Sequence, residues 1–499
     1  MLTARLAVSG RRIAAIFFAM GSFLGPTWAA SPQALVIDEV PLLFVDDGAI
    51  AASSGLSRTV HTARTRSEPV LIADKTWEGV RVYTYGSVVK DRATGQYRLW
   101  YMSRSQEPGP VPAPQLRVGG QDLVLYATSL DGVKWEKPAL NLHAYRDSKA
   151  NNIVADLHSP AVLLDPFERD PARRYKLLGY MKGRYYAMYS SDGLNWKPFQ
   201  ETPVFSANDT MSLTQNPRTG EFMAYVKKNS TTVPGRVVWL FRSRDFVTWT
   251  EPVLVFHADE EYNRWARHPD QRTEVYNMTV IPHAGGFIGL PTMFRVISRT
   301  PEGQPLPKGQ SGNDGPIDVQ FVTSNDGVKW ERSHPRIHVI PRGAPGSFDG
   351  GLILGLTSGV VHDADTTWLL YTALNTGHGG AIPPKRNSIG RAEWRLHGFA
   401  SLDATPSGGR LETKPLVVQG GSLIVNADAS LGVLRVALRE SDGRSLPGFT
   451  LEECEPLRTD ATRHRVRWNS GQAVPSDRPL TVIVEMTSTR LFSLAGVGE

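Results

Sequence analysis

The chain has 499 residues, of which 41% are hydrophobic and 21% are charged, a composition typical of a folded globular protein and not of a disordered one. Its 55 basic and 49 acidic residues give a net charge of +6, but no dense basic run with interleaved aromatics occurs, which argues against nucleic acid as a partner. The single cysteine, Cys454, excludes an intramolecular disulfide, and we expect it to be a small core residue.

Residues 1–30 have the order of a signal peptide. Arg5, Arg11 and Arg12 precede an apolar run over 13–24, and small residues ending in Ala29-Ala30 follow. The run is too short to span a membrane, so we predict export to the periplasm or the cell exterior with no membrane span. The arginine pair leaves Sec and twin-arginine export both open.

Residues 31–76 form an N-terminal segment with one clear strand pattern, Leu35–Asp47. A closed ring of sheets needs a latch between its two ends, because an open edge exposes unpaired backbone groups. We therefore predict that the strand within Leu35–Asp47 completes the last sheet of the repeat region or covers its edge.

A short turn motif, Ser-x-Asp-Gly-x-x-Trp, recurs along the chain. Its copies end at Trp135, Trp196, Trp249 and Trp330, and the third is degenerate because Phe246 replaces the glycine. Asp-Gly after β-branched and aromatic residues is typical of a hairpin, and we expect the four tryptophans to pack between sheets. Self-similarity at this period predicts an array of sheets or a propeller.

A second repeat interleaves with the first: an apolar strand, a turn rich in Asp, Asn, Pro or Gly, and an aromatic strand. Five copies occur, at 88–101, 162–180, 213–225, 279–290 and 360–371. Five four-stranded sheets around one axis predict a five-bladed β-propeller over 77–403.

The pattern changes after a linker-like stretch at 404–409. Residues 410–499 contain short alternating strands separated by turn residues, which predicts a C-terminal β-sandwich. No helix of convincing periodicity follows the leader, so the predicted fold class is all-β.

Three acidic residues occupy comparable places before the innermost strands of the predicted propeller, where binding sites concentrate. Glycoside hydrolysis needs a proton donor and a carboxylate base or nucleophile, and a third acid tunes the pair. We predict Asp209, Glu274 and Asp349 as this catalytic set. Glu274 is assigned as the general acid because of its longer side chain. The order of Asp209 and Asp349 as base or nucleophile and modulator stays open, and each acid taken singly is more often structural.

Five further residues are candidate substrate contacts. His158 and His378 suit sugar hydroxyls or an axial metal, Tyr85 suits stacking on a sugar face, and Arg272 suits a carboxylate or sulfate. Tyr276, two residues after Glu274, is the fifth candidate substrate contact. The alternative is that each histidine is a hydrogen-bonded structural residue and that Arg272 is simply solvated. This chemistry requires no cofactor, and a structural calcium at the axis stays open.

The repeats, the turn motifs and the C-terminal segment with Leu423–Asn426 and Asp442–Phe449 resemble the five-bladed glycoside hydrolases over about residues 35–495. They are most similar to secreted proteins described as like the family 32 N-terminal domain, and more distantly to families 43 and 68. The resemblance implies a propeller with an accessory sandwich and an activity on glycans.

The chain departs from family 32 at its catalytic motifs. Nothing in 78–89 matches the Trp-Met-Asn-Asp-Pro-Asn-Gly nucleophile motif, and Arg169-Asp170-Pro171 mimics the second motif at a place where a turn is expected. We interpret Asp170 as a solvated turn residue, and no residue role is carried over from the family.

The leading hypothesis is a monomeric, exported glycoside hydrolase acting on an oligo- or polysaccharide of plant, algal or microbial origin. A polysaccharide lyase is the first alternative, in which His158 and Tyr276 exchange the C5 proton while an arginine neutralises a uronate. A non-catalytic carbohydrate-binding protein is the second, because a fold alone does not define a chemistry.

Overall fold

The computed structural model describes residues 34–104, 122–269, 271–297, 313–333, 335–381 and 384–498. The predicted signal peptide, 1–30, lies outside the described residues. Residues Leu35–Glu499 form one unit. Within the described ranges, no helix is both long and apolar enough to cross a membrane.

Strands account for almost all of the regular structure, which confirms the all-β class. The described helical elements are one short α-helix, α1 (Glu260–Asn263), and two 3-10 turns, Thr76–Glu78 and Pro171–Arg173. Asp170 caps the second of these turns by accepting a hydrogen bond from the Ala172 backbone N–H at 2.9 Å. Its turn role, predicted from the sequence, is therefore confirmed.

The N-terminal segment contains five short strands: β1 (Leu35–Ile37), β2 (Leu42–Leu43), β3 (Ile50–Ser54), β4 (Leu56–Val60) and β5 (Arg64–Thr65).

Five antiparallel sheets follow in chain order. The first contains β6 (Val82–Lys90), β7 (Tyr97–Arg104), β8 (Asp122–Ser129) and β9 (Ile153–Ala155). The second contains β10 (His158–Leu164), β11 (Tyr175–Met181), β12 (Arg184–Ser190), β13 (Lys197–Pro198) and β14 (Phe205–Ser206). The third contains β15 (Met211–Gln215), β16 (Phe222–Asn229), β17 (Arg236–Ser243) and β18 (Val253–Phe256).

The fourth sheet contains β19 (Arg272–His283), β20 (Gly286–Val296), β21 (Ile317–Val319), β22 (Val322–Ser324) and β23 (Glu331–Arg332). The fifth contains β24 (Leu352–Leu356), β25 (Val361–His362), β26 (Thr366–Leu374), β27 (Asn387–Arg395) and the N-terminal strand β5.

Apolar clusters join these sheets in sequence. Each of the five sheets shares a buried cluster with the next, and the fifth shares one with the first. At the closing contact, Trp368 of the fifth sheet packs edge-on against Tyr97 of the first, with ring centroids 5.1 Å apart. The four motif tryptophans each pack against one of these clusters, as the sequence predicted.

Buried hydroxyl groups link the first strands of neighbouring sheets (β6, β10, β15, β19 and β24). The Ser87 and Ser159 hydroxyls accept from the backbone N–H groups of Val162 and Met211, at 2.8 and 3.4 Å. The Thr210, Thr279 and Thr84 hydroxyls donate to the carbonyls of Tyr276, Thr357 and Gly355, at 3.0, 3.2 and 3.0 Å. Every neighbouring pair of first strands, including the fifth and the first, therefore has a hydroxyl link.

The turn motif forms the same hydrogen bonds in all four copies. In the first copy, the Ser129 hydroxyl accepts from the backbone N–H groups of Asp131 and Gly132, and Asp131 accepts from the next two N–H groups at 2.8 Å. The other copies repeat this pattern. The glycine position has a positive φ in every copy, 68° at Gly132 and also 68° at Phe246. The predicted hairpins are confirmed by the pairing that follows each turn.

The N-terminal strand is placed differently from the expectation. Strand β1 pairs in parallel with Leu416–Val418. Strand β2 pairs with the last strand of the chain, where Leu42 lies opposite Leu494. The segment 35–47 therefore joins the C-terminal sheets. The prediction that it completes the last repeat sheet is wrong. Ile37, Leu42 and Phe44 are buried in the C-terminal core, whereas Leu43 and Val45 are buried in the cluster that joins the fourth and fifth sheets. Strand β5 occupies the expected position instead, with Thr65 opposite Ala392.

The C-terminal strands are β28 (Ala400–Ala404), β29 (Gly409–Thr413), β30 (Leu416–Val418), β31 (Ser422–Asp428), β32 (Val433–Glu440), β33 (Asp460–Arg465), β34 (Leu480–Thr487) and β35 (Thr489–Val497). With β1 to β4 they form two six-stranded sheets that share one apolar cluster. Cys454 is 2% exposed within that cluster, as predicted. The linker-like stretch is a tight turn between β28 and β29, closed by Gly408 N–H donating to the Thr405 carbonyl at 2.9 Å.

The turn glycine gives a direct test of the packing between the fifth and first sheets. A Cβ added at Gly132 would lie 2.8 Å from the Trp368 ring, whereas one added at Gly95, also at positive φ, would meet nothing within 4 Å. We expect Gly95→Ala to cost about 1 kcal/mol of unfolding free energy from backbone strain alone. Gly132→Ala should cost about 1–3 kcal/mol more, because the clash adds to the strain. Urea unfolding measures both, and equal losses would contradict this packing.

Candidate functional site

The first strands of the sheets begin around one cavity of about 400 Å³, which we call the central cavity. Its lining includes side chains from the starts of several first strands and from the loop after β26. The lining residues are Arg81, Tyr83, Tyr85, Met102, Arg104, His158, Asp209, Tyr276, Leu354, Leu374, His378, Gly379, Gly380, Lys385 and Asn387. Five of the eight residues predicted from the sequence line this cavity: Tyr85, His158, Asp209, Tyr276 and His378.

His158 lies between two carboxylates. Its Nδ1 donates to Asp122 at 3.1 Å, and its Nε2 lies 3.9 Å from Asp209. Donation from Nδ1 leaves a lone pair on Nε2 when the ring is neutral. Asp122 also pairs with Arg104 at 2.9 Å, so this carboxylate is occupied and orients the imidazole.

Asp209 immediately precedes β15, and its side chain is 45% exposed to the cavity. Burial alone would raise the pKa of this carboxyl, but Lys227 at 2.7 Å and the nearby His158 lower the pKa to about 2. Asp209 is therefore a carboxylate at neutral pH. This charge state suits a base or a nucleophile and does not suit a proton donor.

A second cavity, of about 430 Å³, adjoins the first, and we call it the neighbouring cavity. Asp209 and Tyr276 line both cavities. The residues of its lining are Asn208, Asp209, Lys227, Asn229, Ser230, Gly235, Arg236, Arg272, Glu274, Tyr276 and Asn313. The structure thus brings together two of the three predicted acids, Asp209 and Glu274, along with Arg272.

Glu274 lies on β19 and is 2% exposed. Its two carboxylate oxygens are engaged by two guanidinium groups, Arg236 on one oxygen and Arg272 at 2.6 Å on the other. Neither oxygen is free to carry a proton to a substrate. In this arrangement Glu274 holds the two arginines in place at the wall of the neighbouring cavity.

Asp349 lines neither cavity. It is 2% exposed, and its oxygens accept hydrogen bonds from the Ser347 hydroxyl at 2.8 Å and the Tyr371 hydroxyl at 2.9 Å. Both partners belong to the fifth sheet and the loop before it. The carboxylate therefore anchors that loop, and the flanking Gly350 and Gly351 lie too close to neighbouring backbone to carry a Cβ.

Tyr276 and His378 form a coupled pair in the central cavity. The His378 Nδ1 donates to the Asn313 carbonyl at 3.0 Å, so its Nε2 is the atom that faces the Tyr276 hydroxyl at 3.4 Å. Burial, together with the positive charges of Lys385 and Arg236, lowers the pKa of His378 to about 4. The ring is therefore neutral at physiological pH.

Tyr85 stacks on Tyr83 with ring centroids 5.5 Å apart and lies 5.8 Å from the His158 ring. Burial raises the pKa of Tyr85 well above its usual range, and the nearby Tyr276 and Asp209 raise it further. Its hydroxyl keeps its proton, yet it has no partner at hydrogen-bonding geometry among the described residues.

Four buried polar atoms of the central cavity lack a hydrogen-bond partner among the described residues: Arg81 Nε, Tyr85 Oη, His158 Nε2 and Asn387 Oδ1. Such atoms are rare in folded proteins, and each costs about 1–3 kcal/mol unless something binds it. Their convergence on one cavity points to a polar ligand with several hydroxyl or charged groups.

A larger cavity of about 850 Å³ lies between the fifth sheet and the C-terminal sheets. Two ion pairs lie within its lining, Arg64 with Glu393 at 2.8 Å and Arg395 with Asp460 at 2.5 Å. None of its described lining atoms is a buried polar atom without a partner. Size alone therefore does not make it the better site.

Within the described residues, no group of three or more His, Cys, Asp or Glu side chains is placed to hold a metal ion.

No protein-family model matches this sequence, and no curated protein matches it. Among solved structures, an N-acetylgalactosamine deacetylase from F. plautii is similar at 16% identity and a TM-score of 0.40, covering 74% of this chain and 96% of that one. An endo-1,4-beta-xylanase from Bacteroides thetaiotaomicron VPI-5482 is similar at 13% identity and a TM-score of 0.40, covering 66% and 92%. An endo-arabinase from the same strain has 14% identity and a TM-score of 0.38, covering 66% and 96%. Values this low say nothing about the chemistry of this chain.

Sequence reasoning missed most of the cations of the site. Lys227 lies within β16 and belongs to no motif. Arg81 and Lys385 are far apart in sequence and meet only through the pairing of Arg81 with Asn387. Trp77 and Trp265 line neither cavity, and their indole N–H groups donate to Asn152 and Thr273.

The role of Asp349 is testable by unfolding. Asp349→Asn places an amide N–H₂ group against one of the two hydroxyl groups that donate to this side chain. The free energy of unfolding should fall by about 1–3 kcal/mol, because that buried hydroxyl loses its acceptor. Tyr371→Phe removes the same hydrogen bond, so the double variant should lose less stability than the sum of the two single losses. Urea unfolding of the three variants measures this. Wild-type stability of Asp349→Asn would contradict the assignment.

The charge state of His378 is testable by NMR. We expect its imidazole to titrate with a pKa of about 4, because burial and neighbouring cations disfavour the charged form. Lys385→Met should raise that pKa, since it removes one of these cations. A titration near the ordinary histidine value of about 6.5 would contradict the geometry.

Proposed function

We propose that residues 77–403 form a five-bladed β-propeller and that the C-terminal strands form a β-sandwich completed by the N-terminal segment. Two observations support the propeller: the apolar clusters that link each of five sheets to the next and the fifth to the first, and the hydroxyl links between the first strands. In this arrangement the first strands are innermost, and the central cavity opens at one end of the axis.

We propose further that the protein is an exported glycoside hydrolase that acts on an oligo- or polysaccharide in this cavity. The observation that carries the proposal is the convergence of four unpaired buried polar atoms with an ionised carboxylate, Asp209. A sugar offers several hydroxyl groups to such a wall, and an apolar ligand offers none. The stacked pair of Tyr83 and Tyr85 adds an aromatic surface that suits a sugar ring.

In this mechanism Asp209 is the base that activates water or the nucleophile that attacks the anomeric carbon. Lys227 keeps it ionised and fixes its orientation. The proton for the leaving oxygen comes from Tyr85, or from His158 when its imidazole carries a proton on both nitrogens; both residues line the cavity, and each has a buried polar atom without a partner among the described residues. Glu274 positions Arg236 and Arg272 toward the substrate and does not itself donate the proton.

A β-elimination of a uronate is the second candidate, and a specific observation favours it. The same cavity holds a histidine nitrogen with a free lone pair, a protonated tyrosine and cations without carboxylate partners. In elimination, His158 Nε2 would take the C5 proton, Tyr85 would protonate the leaving oxygen, and no water would be consumed. The product then carries a carbon–carbon double bond that absorbs in the ultraviolet, which hydrolysis does not create.

The experiment is a screen of the mature protein on a panel of polysaccharides for new reducing ends and for ultraviolet absorbance. We expect reducing ends without absorbance, and we expect Asp209→Asn to lower the rate by about 100-fold or more, because the base or nucleophile is lost. His158→Asn and Tyr85→Phe identify the proton donor.

Asp349→Asn is the matched control, since it removes an equal charge outside both cavities. Its rate per folded molecule should equal that of the wild type. Full activity of Asp209→Asn would contradict the proposed site, absorbance in the products would establish the elimination, and binding without any product would leave a carbohydrate-binding protein.

A further inference from the structure

The two adjoining cavities are rich in positive charge. Six cationic side chains line them, against the two carboxylates of Asp209 and Glu274. The six cations are Arg81, Arg104, Lys227, Arg236, Arg272 and Lys385. Because a surrounding apolar wall strengthens electrostatic attraction, such an excess attracts anionic ligands.

Four of the six cations already have carboxylate partners. Arg104 pairs with Asp122 at 2.9 Å, Lys227 pairs with Asp209 at 2.7 Å, and the arginines at 236 and 272 share Glu274. These four are held in place by the protein's own acids.

Arg81 and Lys385 are different. Within the described part of the chain, no carboxylate lies at ion-pair distance from either of them, and both line the central cavity. The Lys385 ammonium donates to the His378 carbonyl at 2.5 Å, and the buried Nε of Arg81 has no partner. The pairing of Arg81 with Asn387 brings the two cations to the same wall.

The electrostatics of Lys385 agree with this geometry. Burial lowers its pKa and repulsion from Arg81 lowers it further, while attraction to the Asp314 carboxylate opposes both effects. One oxygen of Asp314 accepts hydrogen bonds from the backbone N–H groups of Gly315 and Gly379, which ties this carboxylate to the loop. Two partly buried like charges without a carboxylate at ion-pair distance are costly, and a bound anion between them lowers that cost.

We propose that Arg81 and Lys385 bind the negatively charged substituent of an acidic sugar, a carboxylate or a sulfate ester, so that the substrate is an acidic glycan. This inference rests on the proposed function for the site but concerns recognition and not bond cleavage. Arginine engages either group with two parallel hydrogen bonds, and lysine adds a point charge. A neutral sugar would fill the same volume and leave both cations unpaired.

Calorimetric binding tests this proposal independently of turnover. The ligands are a galacturonate oligosaccharide and a sulfated galactose oligosaccharide, each beside its neutral counterpart, carboxyl-reduced or desulfated. We expect at least one acidic ligand to bind about tenfold or more tightly than its neutral counterpart, since a charged hydrogen bond contributes about 1.5–3 kcal/mol. The pair that discriminates identifies carboxylate or sulfate as the recognised group.

Arg81→Met and Lys385→Met should each weaken binding of that acidic ligand by about tenfold or more. Lys228→Met is the matched control, because Lys228 lies over Trp239 outside both cavities and its loss should leave binding unchanged. Thermal unfolding of each variant separates a lost contact from a lost fold.

The proposal is overturned if neither acidic ligand binds, if neutral ligands bind as tightly as acidic ones, or if both variants bind like the wild type. The two proposals fail separately. Tight binding of an acidic ligand that depends on Lys385, with no cleavage of any glycan, would overturn the proposed function alone. Cleavage confined to neutral glycans would overturn this inference alone.

Discussion

The hydroxyl links between the first strands are the constraint on which the rest of the structure depends. Each joins a serine or threonine of one first strand to the backbone of the next, and the chain of links returns from the fifth sheet to the first through Thr84 and Gly355. A buried hydroxyl that lost its partner would cost about 1–3 kcal/mol, so the register of each strand against its neighbours is well defined. The strands therefore begin at fixed positions, and side chains from distant parts of the sequence meet at the central cavity.

Charge distribution divides the residues at this cavity into two kinds. Lys227 holds Asp209 ionised, and Asp122 orients His158, so these groups are fixed before any substrate arrives. Arg81 and Lys385 carry charge that the protein leaves unpaired. An enzyme benefits when its reacting groups are already in place, because the free energy needed to bring charges together is then supplied by folding. The substrate in turn supplies the charge that pairs with the two unpaired cations.

The repeats, which carry strong local signals, predicted the strands and hairpins correctly. Alternation and Asp-Gly turns depend on neighbouring residues, and the Ser-x-Asp turns form even where Phe246 replaces glycine. The positions of the site residues depend instead on the loops that lead into the strands. Asp209 and Glu274 reach the adjoining cavities because each sits at the start of a first strand, while the longer loop before β24 turns Asp349 toward Tyr371. The catalytic role of Asp209 stays a prediction. Strand β1 was misplaced because an apolar strand has no signal for which sheet edge it joins.

The most direct test of the central claim is a crystal structure of the inactive Asp209→Asn protein with an acidic oligosaccharide bound. The account predicts sugar density in the central cavity, with its charged substituent between Arg81 and Lys385 and a glycosidic oxygen next to residue 209. Density in the larger cavity between the fifth sheet and the C-terminal sheets, with the central cavity empty, would contradict it.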